Sequence, residues 1–226
     1  MQNIFLIFGY GVPKNILKDE NYNFYLKTVF NKIYSLTEAR YIKDPLIIFC
    51  GGKTDCFKPY RRNEADEMIK LFKKISQRAF LKEKTNSWTF TGEKQSLSTL
   101  ENFLNSKKIL KKKKIHKARL CVFCEQTREK RVAVLTKKIF NENYTPLTIP
   151  VDFDTSANRY LDHKFLEKKE KETLKYDLWA LKNKDNFKKY HRFFQEKIKL
   201  FQKADPKKHQ EAILEWWKEK LIHNKL

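Results

Sequence analysis

The sequence predicts an α/β fold: a mostly parallel sheet of about five strands flanked by helices, followed by an all-helical C-terminal extension. Three observations predict it. The continuous apolar runs Ile4–Phe8, Leu46–Cys50 and Leu120–Cys124 have the length of strands buried on both faces. Segments with apolar residues at helical spacing alternate with them, as crossover helices between parallel strands would. After residue 155 only helical spacing remains, which divides the chain into an α/β domain over 1–155 and a basic helical extension over 156–226.

Taken in order, the first strand runs into Gly9-Tyr10-Gly11-Val12-Pro13, a turn whose glycines allow close backbone approach. It lacks the third glycine of a dinucleotide fingerprint. Residues 20–37 keep helical spacing through Tyr22, Tyr25, Leu26, Val29, Phe30 and Ile33. The second strand ends in Cys50-Gly51-Gly52-Lys53-Thr54. A phosphate-binding P-loop is excluded there, because its first glycine would fall at Ile47, inside the strand, and Pro59 follows in place of a helix start. The next helix opens at Glu64 and Ala65 with Asn63 as its cap.

Trp88-Thr89-Phe90 leads into Thr91-Gly92-Glu93-Lys94-Gln95-Ser96-Leu97-Ser98-Thr99-Leu100-Glu101-Asn102, which reads as a strand-to-helix corner. Ser98 with Glu101 three residues later is a capping box, a structural role requiring no chemistry. Glu93 precedes the helix and is left unexplained by the cap, so it reads as a surplus carboxylate available to a ligand. After the fourth strand, Glu125 to Arg131 leads into a helix through Val132, Leu135 and Ile139, and Tyr144–Val151 forms a fifth strand. An Arg at a helix start opposes the macrodipole, which makes Arg131 a candidate anion contact. Cys121 and Cys124, an odd number apart on a strand, face opposite ways and read as core thiols. The extension shows three or four amphipathic helices, at Leu161/Phe165, Leu174/Leu178/Leu181, Phe187 to Phe201 and Ile213/Trp217/Leu221.

Formal charge is +22, from 49 basic against 27 acidic residues. Such a surplus raises nucleic acid as a partner. Only 9 of the basic residues are Arg, however, and Arg is the side chain of bidentate phosphate and base recognition. The basic run Lys107 to Arg119 therefore reads first as a solvated helix end. No apolar run approaches the ~20 residues of a membrane helix, and the expected location is cytoplasmic. No metal-ligand spacing stands out.

These landmarks resemble the YdcF-like family, also called the ElyC/SanA/YdcF family of bacterial proteins. The resemblance is carried by Gly9-Tyr10-Gly11, Cys50-Gly51-Gly52, Glu64-Ala65, Glu93 with Ser96, Thr99, Glu101 and Asn102, and Arg131. It implies a Rossmann-like fold and an enzyme of undefined reaction, with links to S-adenosylmethionine and cell-envelope metabolism. The family often carries a His three residues before its Arg, where this chain has Arg128. That departure weakens a proton-transfer role and favours anion binding.

The expected site lies at the carboxyl edge of the sheet and takes a small anionic or nucleotide-like molecule. Glu93, Glu101 and Arg131 are its candidate catalytic residues for a transferase or hydrolase. Gly9, Gly11, Gly51, Gly52, Glu64, Ser96, Thr99, Asn102 and Arg128 are its candidate ligand-binding residues. Two other readings compete: a nucleic-acid or anionic-surface binder using Lys107–Arg119 and the helical tail, and an inactive scaffold.

Overall fold

A computed structural model describes residues 2–39, 42, 44–140, 142–152 and 163–222. The elements in order are β1 (Gln2–Phe8), α1 (Glu20–Ala39), β2 (Leu46–Cys50), α2 (Glu64–Ser76), α3 (Ala79–Thr85), β3 (Thr89–Glu93), α4 (Thr99–Lys112), β4 (Ala118–Glu125), α5 (Glu129–Ile139), β5 (Tyr144–Val151), α6 (His163–Ala180), α7 (Lys184–Lys203) and α8 (His209–Ile222). The sequence reading missed α3, whose seven residues are too few to display a period. The expected boundary at 155–156, and Leu161 with it, lie outside the described residues.

All five strands pair in parallel, in the order β3-β2-β1-β4-β5. The chain thus winds outward from β1 to β3, then returns to the other side of β1 to lay down β4 and β5. Strand order reverses between β1 and β4, the switch point outside whose carboxyl ends open α/β sheets bind their ligands. The edge strand β5 carries Pro146 and Pro150, residues tolerated where one side of a strand has no partner.

Period-two alternation sends Phe5, Ile7, Ile47, Phe49, Cys121 and Phe123 to one face, where they pack with Tyr25, Val29, Phe30, Met68 and Phe72 from α1 and α2. The opposite face carries Ile4, Leu6 and Phe8. Phe8 meets Phe103 of α4 edge-on at 4.7 Å, and Val132 and Leu135 of α5 are buried. With both faces covered, β2 is apolar throughout and β1 is apolar from Ile4 to Phe8.

Two compact units result. One comprises Met1–Thr54 with Arg62–Phe153, the other Asp55–Arg61 with Asp154–Leu226. In the second unit α6, α7 and α8 bury an aromatic cluster that includes Tyr176, Tyr190, Phe193, Phe194 and Trp217. The Tyr190 hydroxyl donates to the buried Asp177 carboxylate at 2.7 Å. Asn183 caps α7 by accepting from the Asn186 amide.

Candidate functional site

Parallel strands place their carboxyl ends, and the loops that follow, along one edge. Gly9 and Gly11 follow β1, Gly51 and Gly52 follow β2, Glu93 ends β3, and Arg128 follows β4. Glu64, Thr99, Glu101, Asn102 and Arg131 stand in the first turns of α2, α4 and α5, which begin at the same edge.

The corner after β3 is built around Glu93, which is 2% exposed. Its Oε1 accepts from the Gln95 and Ser96 amides at 2.8 and 3.1 Å and from Asn105 Nδ2 at 3.1 Å. Ser96 Oγ donates to its Oε2 at 2.5 Å and also contacts the Asn102 side-chain amide. The carboxylate that looked surplus in the sequence therefore has a structural role, which is to tie the strand end to the helix start. Ser98 caps α4 as expected, accepting from the Glu101 amide at 3.2 Å. Glu101 reaches back one residue beyond the usual capping-box partner, accepting from the Leu97 amide at 2.6 Å. Thr99, Glu101 and Asn102 are buried although Glu101 and Asn102 point away from the apolar stripe of α4, because the 94–98 corner folds over this first turn.

A second carboxylate, Glu64, explains two of the glycines. A Cβ added at Gly9 or Gly51 would meet the Glu64 side chain at less than 3.0 Å, a separation real Cβ atoms do not adopt. Gly9 and Gly51 thus form a slot for this side chain. A Cβ at Gly52 would instead strike the Ser96 carbonyl. The close approach expected between these three glycines and a ligand is taken up by the protein's own groups. Gly11 is different: its φ of +124° favours glycine, and the space beside its Cα is open. Its amide donates to Glu64 Oε1, and Tyr22 Oη lies 2.8 Å from the same oxygen and 2.6 Å from the Gly11 carbonyl. Burial, followed by the Glu64 charge, pushes the Tyr22 phenol well above its ordinary pKa.

Bonds along the edge join these parts. Gly51 N donates to the Glu93 carbonyl at 3.0 Å and Gly52 N to the Ser96 carbonyl at 2.9 Å. The Glu64 and Ala65 amides donate to the Gly52 and Gly51 carbonyls at 3.0 and 2.9 Å. Arg128 Nη1 donates to the Gly9 carbonyl at 2.8 Å, across the strand-order reversal. Arg131 lies one turn further on and is 5% exposed.

Several residues of this edge were not singled out from sequence. Tyr22 reads as one apolar position among many in α1. Arg62 donates to the Pro13 and Lys14 carbonyls at 2.8 and 3.0 Å and so fixes the loop that continues from Gly11. Glu125, 4% exposed, accepts from the Thr127 amide at 2.8 Å and shapes the loop that presents Arg128. Cys50, at the end of β2, has its thiol pushed well up, first by burial and then by Glu93, so it is no ready nucleophile. Among the described residues no group of three or more His, Cys, Asp or Glu side chains is arranged to hold a metal ion. No helix among them is long and apolar enough to cross a membrane.

No protein-family model matches the sequence, and comparisons with curated proteins and with solved structures return no match either.

Proposed function

We propose that the chain is a YdcF-like protein that binds a small anionic or nucleotide-like molecule at the carboxyl edge of its sheet, at the switch point between β1 and β4. One observation carries this reading. Arg128 rests a guanidinium nitrogen on the Gly9 carbonyl at the strand-order reversal, beside Gly11, the one glycine of the two turns with open space at its Cα. The guanidinium is a planar, permanently charged fork of the kind that holds the anionic end of a ligand. The glycine gives that ligand close access to the backbone.

In this reading the two carboxylates of the corner have unequal parts. Glu93 and Glu101 already accept from backbone amides, so exchanging a proton with a ligand would cost the corner its bonds. They serve as positioning residues, and Ser96, Thr99 and Asn102 belong with them. Arg128 and Arg131 supply the positive charge. S-adenosylmethionine, nucleotides and phosphorylated envelope precursors are the ligands that the resemblance suggests, and transfer or hydrolysis of such a molecule is the reaction class.

The test is a thermal-shift panel of those three ligand classes on the whole chain and on Arg128→Ala. A ligand present at about 100 times its Kd raises stability by about 2.7 kcal/mol. The reading requires a concentration-dependent rise in the wild type and its loss in the variant. Equal shifts in both would remove Arg128 from the site.

A further inference from the structure

The solvent face of α7 carries a feature that the edge site does not use. At about 100° per residue, Lys184, Lys188, Arg192, Lys199 and Lys203 fall within roughly a 100° arc of the helix. All five are exposed. Among the described residues only Lys188 of the five has an ion-pair partner, Asp185 at 3.3 Å. The stripe extends about 28 Å at the rise of an α-helix. Lys184, Lys188 and Arg192 succeed one another at intervals of about 6 Å, close to every second phosphate of one duplex strand.

Helix electrostatics account for Lys203, in the last turn of α7, but not for the start of this stripe. Lys184 is in the first turn of α7 and Lys188 and Lys189 are in the second, where the macrodipole disfavours cations. The Lys111–Lys114 run is the contrasting case: it ends α4, where the macrodipole favours cations, and requires no ligand. A membrane surface fits α7 poorly. Interfacial helices insert their apolar face, whereas Tyr190, Phe193, Phe194, Ile198 and Phe201 of α7 are already buried.

We propose that the exposed face of α7 binds the phosphate backbone of nucleic acid without reading its sequence. This is independent of the edge site, since it engages none of that site's residues.

Fluorescence anisotropy of a labelled 20-base-pair duplex, titrated with the whole chain over a range of salt concentrations, tests it. Five contacts give a slope of log K against log salt of about −4.5, and two give about −2. The variant Lys188→Glu/Arg192→Glu/Lys199→Glu should lose affinity by about 1,000-fold or more at 50 mM salt and show the shallower slope. Lys111→Glu/Lys113→Glu/Lys117→Glu changes the net charge by the same amount and should retain the wild-type slope. The corresponding Lys/Arg→Gln set on α7, with circular dichroism on every variant, separates lost contact from lost structure. Equal weakening by both Glu variants would reduce the effect to net charge and overturn the proposal. So would absence of duplex binding at low salt, or binding of phosphatidylserine vesicles in preference to the duplex.

Discussion

Arg128 and Gly9 are 119 residues apart, yet the Arg128 guanidinium donates to the Gly9 carbonyl at 2.8 Å, joining the loops that follow the paired strands β1 and β4. The bond closes the place where the doubly wound sheet changes its winding direction. It also fixes the orientation of the charge that the proposed ligand would meet.

Arg128→Lys keeps the charge and loses the planar fork. A charge-assisted hydrogen bond of this kind contributes about 1.5–3 kcal/mol, so chemical denaturation should show a loss of that order. Ligand affinity should fall further than for an equally destabilised variant elsewhere. A Lys variant as stable as wild type would mean that the Gly9 contact is incidental.

The slot formed by Gly9 and Gly51 gives a second, sharper expectation. Gly9→Ala and Gly51→Ala each press a methyl group into Glu64 and should destabilise the fold by more than about 2 kcal/mol. Combining Gly9→Ala with Glu64→Ala removes the obstructing side chain, so the double variant should be more stable than the sum of the single changes predicts. Strict additivity would place Glu64 outside the slot. Gly11→Ala meets no atom and should cost only its backbone strain, about 1–3 kcal/mol.

Glu93 and Ser98 are separable by the same measurement. Ser98→Ala removes one capping acceptor and should cost about 1 kcal/mol. Glu93→Gln turns one of two acceptor oxygens into a donor amid four donor groups and should cost about 2 kcal/mol or more. A Gln variant that keeps or gains stability would restore Glu93 as a carboxylate maintained for a ligand at structural cost.

Alkaline stability should depend on α1. Burial is the largest cause holding the Tyr22 and Tyr25 phenols well above their ordinary pKa, which means that the fold retains two protons the unfolded chain releases near pH 10. The stabilisation is complete below that pH. As pH rises past it the unfolded state binds fewer protons, and stability falls by about 1.4 kcal/mol per pH unit for each phenol. Urea midpoints between pH 9 and 11 should decline less steeply for Tyr25→Phe than for wild type; parallel curves would show that Tyr25 ionises freely in the fold.

Most of the architecture was legible from neighbouring residues. Ile4–Phe8 and Leu46–Cys50 read as strands because burial on both faces leaves continuous apolar runs, Tyr144–Val151 because it is rich in β-branched and aromatic residues, and Asn63 and Ser98 read as caps because a cap acts within one helical turn. The carboxyl-edge location of Gly11, Gly52, Glu93 and Arg131 also followed, since parallel strands joined by helices all end at one edge. What each residue does there did not follow. That Glu64 fills the slot between Gly9 and Gly51, that Tyr22 and Gly11 bond to it, and that Arg62 secures Pro13 and Lys14 depend on β1 lying beside β2 with α2 behind them. Local periodicity specifies which face of an element is buried, but a hydrogen bond between residues 42 to 119 positions apart is specified only by strand order and register, which the tertiary structure alone decides.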